Sequence, residues 1–399
     1  MKKIVSTAVM TGLLAGTALM ADTIYAKKVS VSLDKISSDS KVWKKAKSAD
    51  VILYPQTTLS FNDKKAVETN KDAKAKRAKV KAVFNGKKIA FLIKWPDGTK
   101  SVQKGYSSTS YADGFAVQFS DINDADKLPY IGMGSKGRDV VIHLQKAVEK
   151  VYEPNGNKDV FMQINRNNTP YFGKDLKKYD KKVDNLAGRD YEKVFISEGF
   201  RSMTEIKGEK LHSSSSMKYD KKGWKATVSR PLKDEYLNLK KDAIAVAFAV
   251  WDGNKMNRDG LKLLSSWEPV VFDKKGEGFA LAVLKKVKGD IKNGEKLTKD
   301  NCSSCHRYKN ENAAPFAMAP NLSNIGGYNT AAYLRESILE PSAVVVAGYN
   351  RNAHKNFEWY SVDDKGNRMS TMPPFSHLDK KAQDDIIAFL QTLKSEVEK

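Results

Sequence analysis

Two thiols separated by two residues and followed at once by an imidazole, in Cys302-Ser303-Ser304-Cys305-His306, constrain this chain more than any other stretch. Thiols at that spacing can each bond one vinyl group of a single porphyrin. The adjoining His then lies under the ring and offers a nitrogen to the iron, which is the pattern of covalent c-type haem attachment. These are the only 2 cysteines in 399 residues, so neither has a competing structural partner. A redox pair of the thioredoxin kind would want a strand leading into the motif within a βαβ setting, and it would leave His306 without a role.

The amino terminus bears on the compartment. Met1-Lys2-Lys3 is followed by an uncharged apolar run from Ile4 to Met20, with small residues at Ala21 and Ala26 as candidate cleavage positions. The run is shorter than the ~20 residues of a spanning helix. A secretory signal peptide over residues 1–26 is expected, with an uncleaved anchor as the alternative. No Arg-Arg pair precedes the run, so export is expected through a Sec-type route to the periplasm. No later segment is expected to cross a bilayer.

The formal net charge is +22. Export removes nucleic acid as a partner, and the lysines are spread along the chain. The densest group, Lys71 to Lys81, is expected to be a solvated face. The remaining functional use of such charge is steering toward an acidic redox partner or an anionic surface.

Between about residues 41 and 284 apolar and polar residues alternate. Val51–Tyr54, Val80–Phe84, Ile89–Ile93, Phe115–Phe119, Val140–Leu144, Trp224–Val228 and Ile244–Val250 read as strands, and Asn85-Gly86 reads as a hairpin turn. Frequent strands without interleaved long helices predict an antiparallel β-sandwich over residues 27–284. The polar stretch from Lys150 to Tyr219 is expected to wrap it, with a loop at Ser213–Ser216. Leu284–Gly289 reads as a short basic linker. Residues 285–399 then become small and helical, with Ile386, Phe389, Leu390 and Leu393 on one stripe. The fold class is therefore β + α in two domains.

The carboxy-terminal part resembles class I cytochrome c over roughly residues 287–397. That resemblance implies a first and a last helix crossing at Gly294 and Phe389. It also implies that the Pro320 carbonyl orients His306, and that Met372, in Ser370-Thr371-Met372-Pro373-Pro374, is the second iron ligand. Met369, His354 and His377 remain alternatives for that position, and Met318 is disfavoured by its place beside Pro320. An iron held by His and Met has no open position, so such a domain carries electrons.

Over roughly residues 41–284, Trp95-Pro96-Asp97, Asp113-Gly114-Phe115, Pro129 to Gly134 and Ala247 to Gly253 resemble the haem b-binding γ subunits of ethylbenzene dehydrogenase, dimethylsulfide dehydrogenase and the chlorate and selenate reductases. The resemblance implies a non-covalent haem b ligated by Met133 and by Lys262, the latter in Arg258-Asp259-Gly260-Leu261-Lys262. His143 and His212 are second-choice ligands. Lysine must lose its proton to bind iron, which burial favours. Together the two resemblances imply a periplasmic carrier with haem b and haem c. Its implied partners are a molybdenum oxidoreductase of the DMSO reductase superfamily and a quinol-linked or soluble cytochrome. No catalytic constellation is discerned, so an enzyme in its own right is not expected. The competing reading is a haem-based sensor or ligand-binding protein in which the sandwich holds another small molecule.

Overall fold

Alternating runs become strands in the computed structural model, which describes residues 23–59, 63–104, 111–150, 191–207, 211–309, 311, 314 and 317–398. The expected leader falls outside these residues up to position 22. The first strands are β1 (Ile24–Lys28), β2 (Ala49–Pro55), β3 (Lys76–Phe84), β4 (Lys88–Pro96), β5 (Gln103–Lys104) and β6 (Gly114–Ser120). Next come β7 (Val140–Lys146), β8 (Val148–Lys150), β9 (Tyr191–Ser197), β10 (Thr204–Ile206), β11 (Ser214–Tyr219) and β12 (Gly223–Pro231). The series ends with β13 (Ala243–Trp251), β14 (Leu263–Leu264), β15 (Glu268–Val271), β16 (Tyr360–Val362) and β17 (Arg368–Ser370).

One layer has the order β10-β9-β7-β6-β13 and the other β2-β3-β4-β12-β11, nearly all antiparallel. The layers are joined where β14 pairs with both β13 and β2, and again where β1 runs parallel to β3 and to β15. Period-2 alternation turns Phe91 and Trp95 of β4 toward Phe115 and Phe119 of β6 and Phe248 of β13. Phe91 meets Phe119 and Phe248 at ring separations of 5.8 and 6.0 Å, closing the core between the layers. β13 is buried along its whole length because its outer face, Ala245, Ala247, Ala249 and Trp251, is covered as well. A strand buried on both sides has no polar alternation, hence its continuous apolar sequence.

Asn85-Gly86 makes the expected turn between β3 and β4. Gly86 takes φ 82°, and the Asn85 side-chain oxygen accepts from the Lys87 and Lys88 amides. The segment from 191 to 219 departs from expectation. Its described residues form β9, β10 and β11 rather than a wrapping loop, and Ser214–Ser216 lie in an edge strand paired to β12. Edge pairing is made by the backbone, so a serine run joins the sheet without an apolar signal; Ser216 and Thr227 add a hydroxyl contact across the pair at 2.8 Å. The basic group at 71–81 is likewise not simply a solvated face. Lys76 is buried beside Asp252, and Arg77 and Lys79 pair with Asp50. β1 starts at Ile24, fully buried and paired to Val270.

The helices are α1 (Lys64–Asn70), α2 (Glu277–Val283), α3 (Ile291–Cys302), α4 (Ile325–Tyr328), α5 (Ala331–Leu339) and α6 (Lys380–Leu390). Asp290 caps α3 and Asp379 caps α6 through side-chain oxygens that accept backbone N–H bonds. α3 and α6 cross at Gly294, where a Cβ would run into the Asp385 carbonyl and lie 2.9 Å from Cβ of Phe389. The helical part is not a separate bead. Its Ile325, Tyr328, Leu334, Ile387 and Leu390 share one apolar cluster with Ile52, Tyr54 and the outer face of β13. Arg138, ahead of β7, makes a two-pronged bond to Glu336 of α5 at 2.7 and 2.5 Å. The chain end returns to the sandwich, Ala75 exchanging backbone bonds with Glu396 and Glu398. Among the described residues no helix is long and apolar enough to cross a membrane.

Candidate haem sites

α3 ends on the attachment motif. The Cys305 and His306 amides donate to the Cys302 carbonyl at 3.1 and 2.8 Å, closing the turn that carries both thiols. Neither thiol is in a disulfide, and burial pushes the Cys302 thiol up to about 11. His306 Nδ1 lies 2.7 Å from the Pro320 carbonyl. A carbonyl only accepts, so Nδ1 carries the hydrogen and Nε2 presents its lone pair. Burial lowers the imidazole's proton affinity and keeps it neutral. Two free thiols beside a neutral, oriented imidazole suit a covalently held haem.

Met372 is half-buried on a loop tied down on each side. The Thr371 amide donates to the Trp359 carbonyl at 3.1 Å, the Met372 amide to Ser370 Oγ at 3.1 Å, and the Phe375 amide to the Ile338 carbonyl at 2.9 Å. The alternatives are presented differently. Met369 is exposed on the β16–β17 hairpin, His377 is exposed, and His354 accepts from the Asn356 amide.

The second site lies on the outer face of the first layer. A cleft partly open to solvent has both Met133 and Lys262 in its lining. Ala116, Ala247 and Ala249 give it a floor of small side chains; Phe195, Phe200 and Trp251 stand around it. Small residues on adjacent strands leave a flat shelf, and the aromatic rim matches a planar apolar group.

Met133 sits between two glycines with φ 82°, an uncommon conformation for a side-chain-bearing residue. It is held by neighbours. The Gly134 amide closes onto the Tyr130 carbonyl at 2.9 Å, Gln118 donates to the Ile131 carbonyl at 3.2 Å, and Trp267 donates to the Pro129 carbonyl at 2.8 Å. Lys262 follows a tight turn fixed by the Trp251 indole, which donates to the Asp259 carbonyl at 3.1 Å. Its own carbonyl accepts from the Gln56 amide at 2.9 Å. The ammonium is buried, donates to the Asp259 carbonyl at 3.3 Å and lies 5.6 Å from the centre of the Trp251 ring, and burial draws it down to about 8. Among the described residues no carboxylate bonds to it directly. A buried amine so placed is available as a neutral nitrogen donor, and with the Met133 thioether it fits a haem iron.

His143 and His212 do not enter this cleft. His143 faces the opposite way, into the core against the Phe119 ring at 5.4 Å, because alternation on β7 puts it on the same side as Val141. His212 is exposed near the sheet edge. The acids of three quoted motifs converge elsewhere. Asp97, Asp113 and Asp252 cluster in the interior, where Asp113 accepts from the Gly253 and Ser101 amides and the Trp224 indole, and Lys76 sits beside Asp252. These acids bind loops and strands together, and none of the three lines the cleft. Sequence reasoning missed Tyr349, which comes from the helical part yet lines the cleft. No local pattern marks it.

The model of the ethylbenzene dehydrogenase family matches residues 40–263, and that of cytochrome c matches residues 291–394. Chlorate reductase subunit gamma of Ideonella dechloratans is 36% identical over 74 residues, 18% of this chain and 30% of that protein, so under a third of the relative's length is spanned. Among solved structures, a family 9 carbohydrate-binding module from Caldicellulosiruptor kristjanssonii in complex with cellotriose aligns with TM-score 0.29 and 11% identity, over 63% of this chain and 93% of that one. A putative carbohydrate-binding protein from Bacteroides uniformis aligns with TM-score 0.32 and 8% identity, over 63% of this chain and 100% of that one.

Proposed function

The chain belongs to the ethylbenzene dehydrogenase family, with a cytochrome c domain behind the family's own domain, and on that premise we propose that it is an exported two-haem electron carrier serving a molybdenum oxidoreductase. Its coarser character, a haem electron-transfer protein related to molybdoenzyme subunits, follows from the family and the cytochrome domain. The observation that carries the finer reading is the cleft that brings Met133 and Lys262 together from chain positions 129 residues apart (262 − 133), against the cytochrome part.

In this reading haem, when bound, supplies a one-electron couple at each site. Met133 and Lys262 would hold the non-covalent group from the sandwich; Cys302, Cys305, His306 and Met372 would hold the covalent one. Pro320 fixes the His306 ring. Haem held by two side chains at each site would leave no position for a substrate at iron, which suits a non-catalytic redox subunit. A packed connection supports a relay between the parts. Tyr349, in the cleft wall, meets Trp359 at 5.7 Å, whose indole donates to the Ala317 carbonyl at 3.0 Å, three residues before Pro320. The surplus of positive charge suits an acidic docking partner, and a quinol-linked or soluble cytochrome in the periplasm would complete the chain.

Extraction with acidified organic solvent is the test. One haem per chain should leave with the solvent and one should stay on the polypeptide. A total of one haem, all of it retained, would return the sandwich to the class of ligand-binding modules for another small molecule.

A further inference from the structure

The cleft on the sandwich is not walled by the sandwich alone. Tyr349 opens a short 3-10 turn of the cytochrome part, Tyr349–Arg351, and its ring is in the lining. It meets Tyr130 edge-on at 5.7 Å. Tyr333, on α5, stacks on Tyr130 at 5.4 Å. Tyr130 also shares a hydroxyl contact with Thr58 at 3.2 Å, and it stands three residues ahead of Met133. Two close approaches deliver Tyr349. A Cβ on Gly348 would overlap the Phe200 ring, itself in the cleft wall, and Val346 packs against Gly199, whose added Cβ would lie 2.7 Å away.

Resting on the reading of the cleft as a haem site, we infer that the cytochrome part completes it. Tyr349 closes the wall, and with Tyr333 it clamps the Tyr130–Gly134 loop that presents Met133. The left-handed backbone at Met133 needs surroundings that over-determine it, and two of the rings packed on Tyr130 come from the other domain. A planar apolar group left open along one edge forfeits part of its burial, which Tyr349 restores. Holding of the extractable haem and docking of the two parts are therefore one event, and the sandwich by itself is an incomplete receptor.

The experiment follows loss of the extractable haem from full-length protein to excess apomyoglobin, with the thioether-linked haem as an internal reference. Tyr349→Ala should release it at least about tenfold faster, whereas Tyr349→Phe, which keeps the ring, should stay within roughly twofold of the parent. The spectrum of the extractable haem should also change in Tyr349→Ala, as the Met133 loop slackens, while that of the covalent haem does not. Release and spectrum both unchanged in Tyr349→Ala overturn the inference. Should Tyr349→Ala fail to fold, judged by missing covalent haem, Tyr349→Leu is measured in the same way and parent-like release overturns it equally. Parent protein without any extractable haem sinks the haem reading of the cleft itself, a result distinct from haem that is present but indifferent to Tyr349.

Discussion

Lys262 illustrates how burial changes the chemistry of a residue whose type is otherwise uninformative. In a chain with 69 Lys and Arg a lysine is by default a solvated charge, yet this one is drawn down to about 8 by burial, with the Asp259 carbonyl as its hydrogen-bond acceptor among the described residues. The sign follows directly. A lowered pKa means that the fold disfavours the charged form, so the neutral amine gains as pH rises through about 8, and protons compete for it below. Acidification is therefore expected to move the extractable haem toward a high-spin spectrum while the covalent haem stays attached. Lys262→Ala should show that spectrum already at neutral pH and lose the pH response. An unaltered spectrum in Lys262→Ala would exclude Lys262 as a ligand, and His143, turned into the core, could replace it only if β7 changed face.

At the scale of elements, the crossing of α3 and α6 combines a missing side chain with a buried acid. Gly294→Ala would drive a methyl into the Asp385 carbonyl, so the helices must separate. Overpacking of this kind typically costs about 1–3 kcal/mol, read as a lower thermal midpoint of the covalent haem's Soret band. Asp385 accepts from the Asp290 amide at 2.7 Å, Asn293 at 2.8 Å and Lys381 at 2.8 Å, and these donors hold its carboxyl down to about 2. A depressed carboxyl stabilises the fold above the ordinary Asp range and loses that contribution as pH falls from about 4 to about 2. Asp385→Asn should flatten the acid limb of a stability–pH curve; an identical limb would show that the acid carries no linkage. The crossing was legible through the resemblance to class I cytochrome c, onto whose helix positions Gly294 and Phe389 fall, while seven strands were legible from alternation or, for β13, from an unbroken apolar run. β11 was not, since a serine edge strand has no apolar signature. Nor was Tyr349's place in the cleft, which depends on contacts between segments some 200 residues apart (349 − 130 = 219). Asp97, Asp113 and Asp252, whose motifs carried the family resemblance, accept bonds from the sandwich's own loops and strands, a role that nothing local in the sequence announced.

For the whole molecule, the decisive question is whether the two parts behave as one body. Their shared apolar cluster, the return of the chain end to Ala75 and the Arg138–Glu336 bond argue for a single cooperative unit. Glu336 is 9% exposed and Arg138 is also largely enclosed, with Lys127 approaching Glu336 at 3.6 Å. Replacing such a pair by apolar residues can be nearly neutral, but removing one partner strands the other charge. Glu336→Ala should cost on the order of 2–3 kcal/mol by leaving Arg138 without its acceptor. The parent protein should show coincident thermal transitions by covalent-haem absorbance and by tryptophan fluorescence, which is concentrated in the sandwich. In Glu336→Ala the two transitions should separate, because the interface weakens while each core stays intact. In Arg138→Leu combined with Glu336→Leu they should converge again. Separate transitions already in the parent would mean that the parts are only tethered, and the cytochrome part could not then act as a fixed wall for the neighbouring cleft.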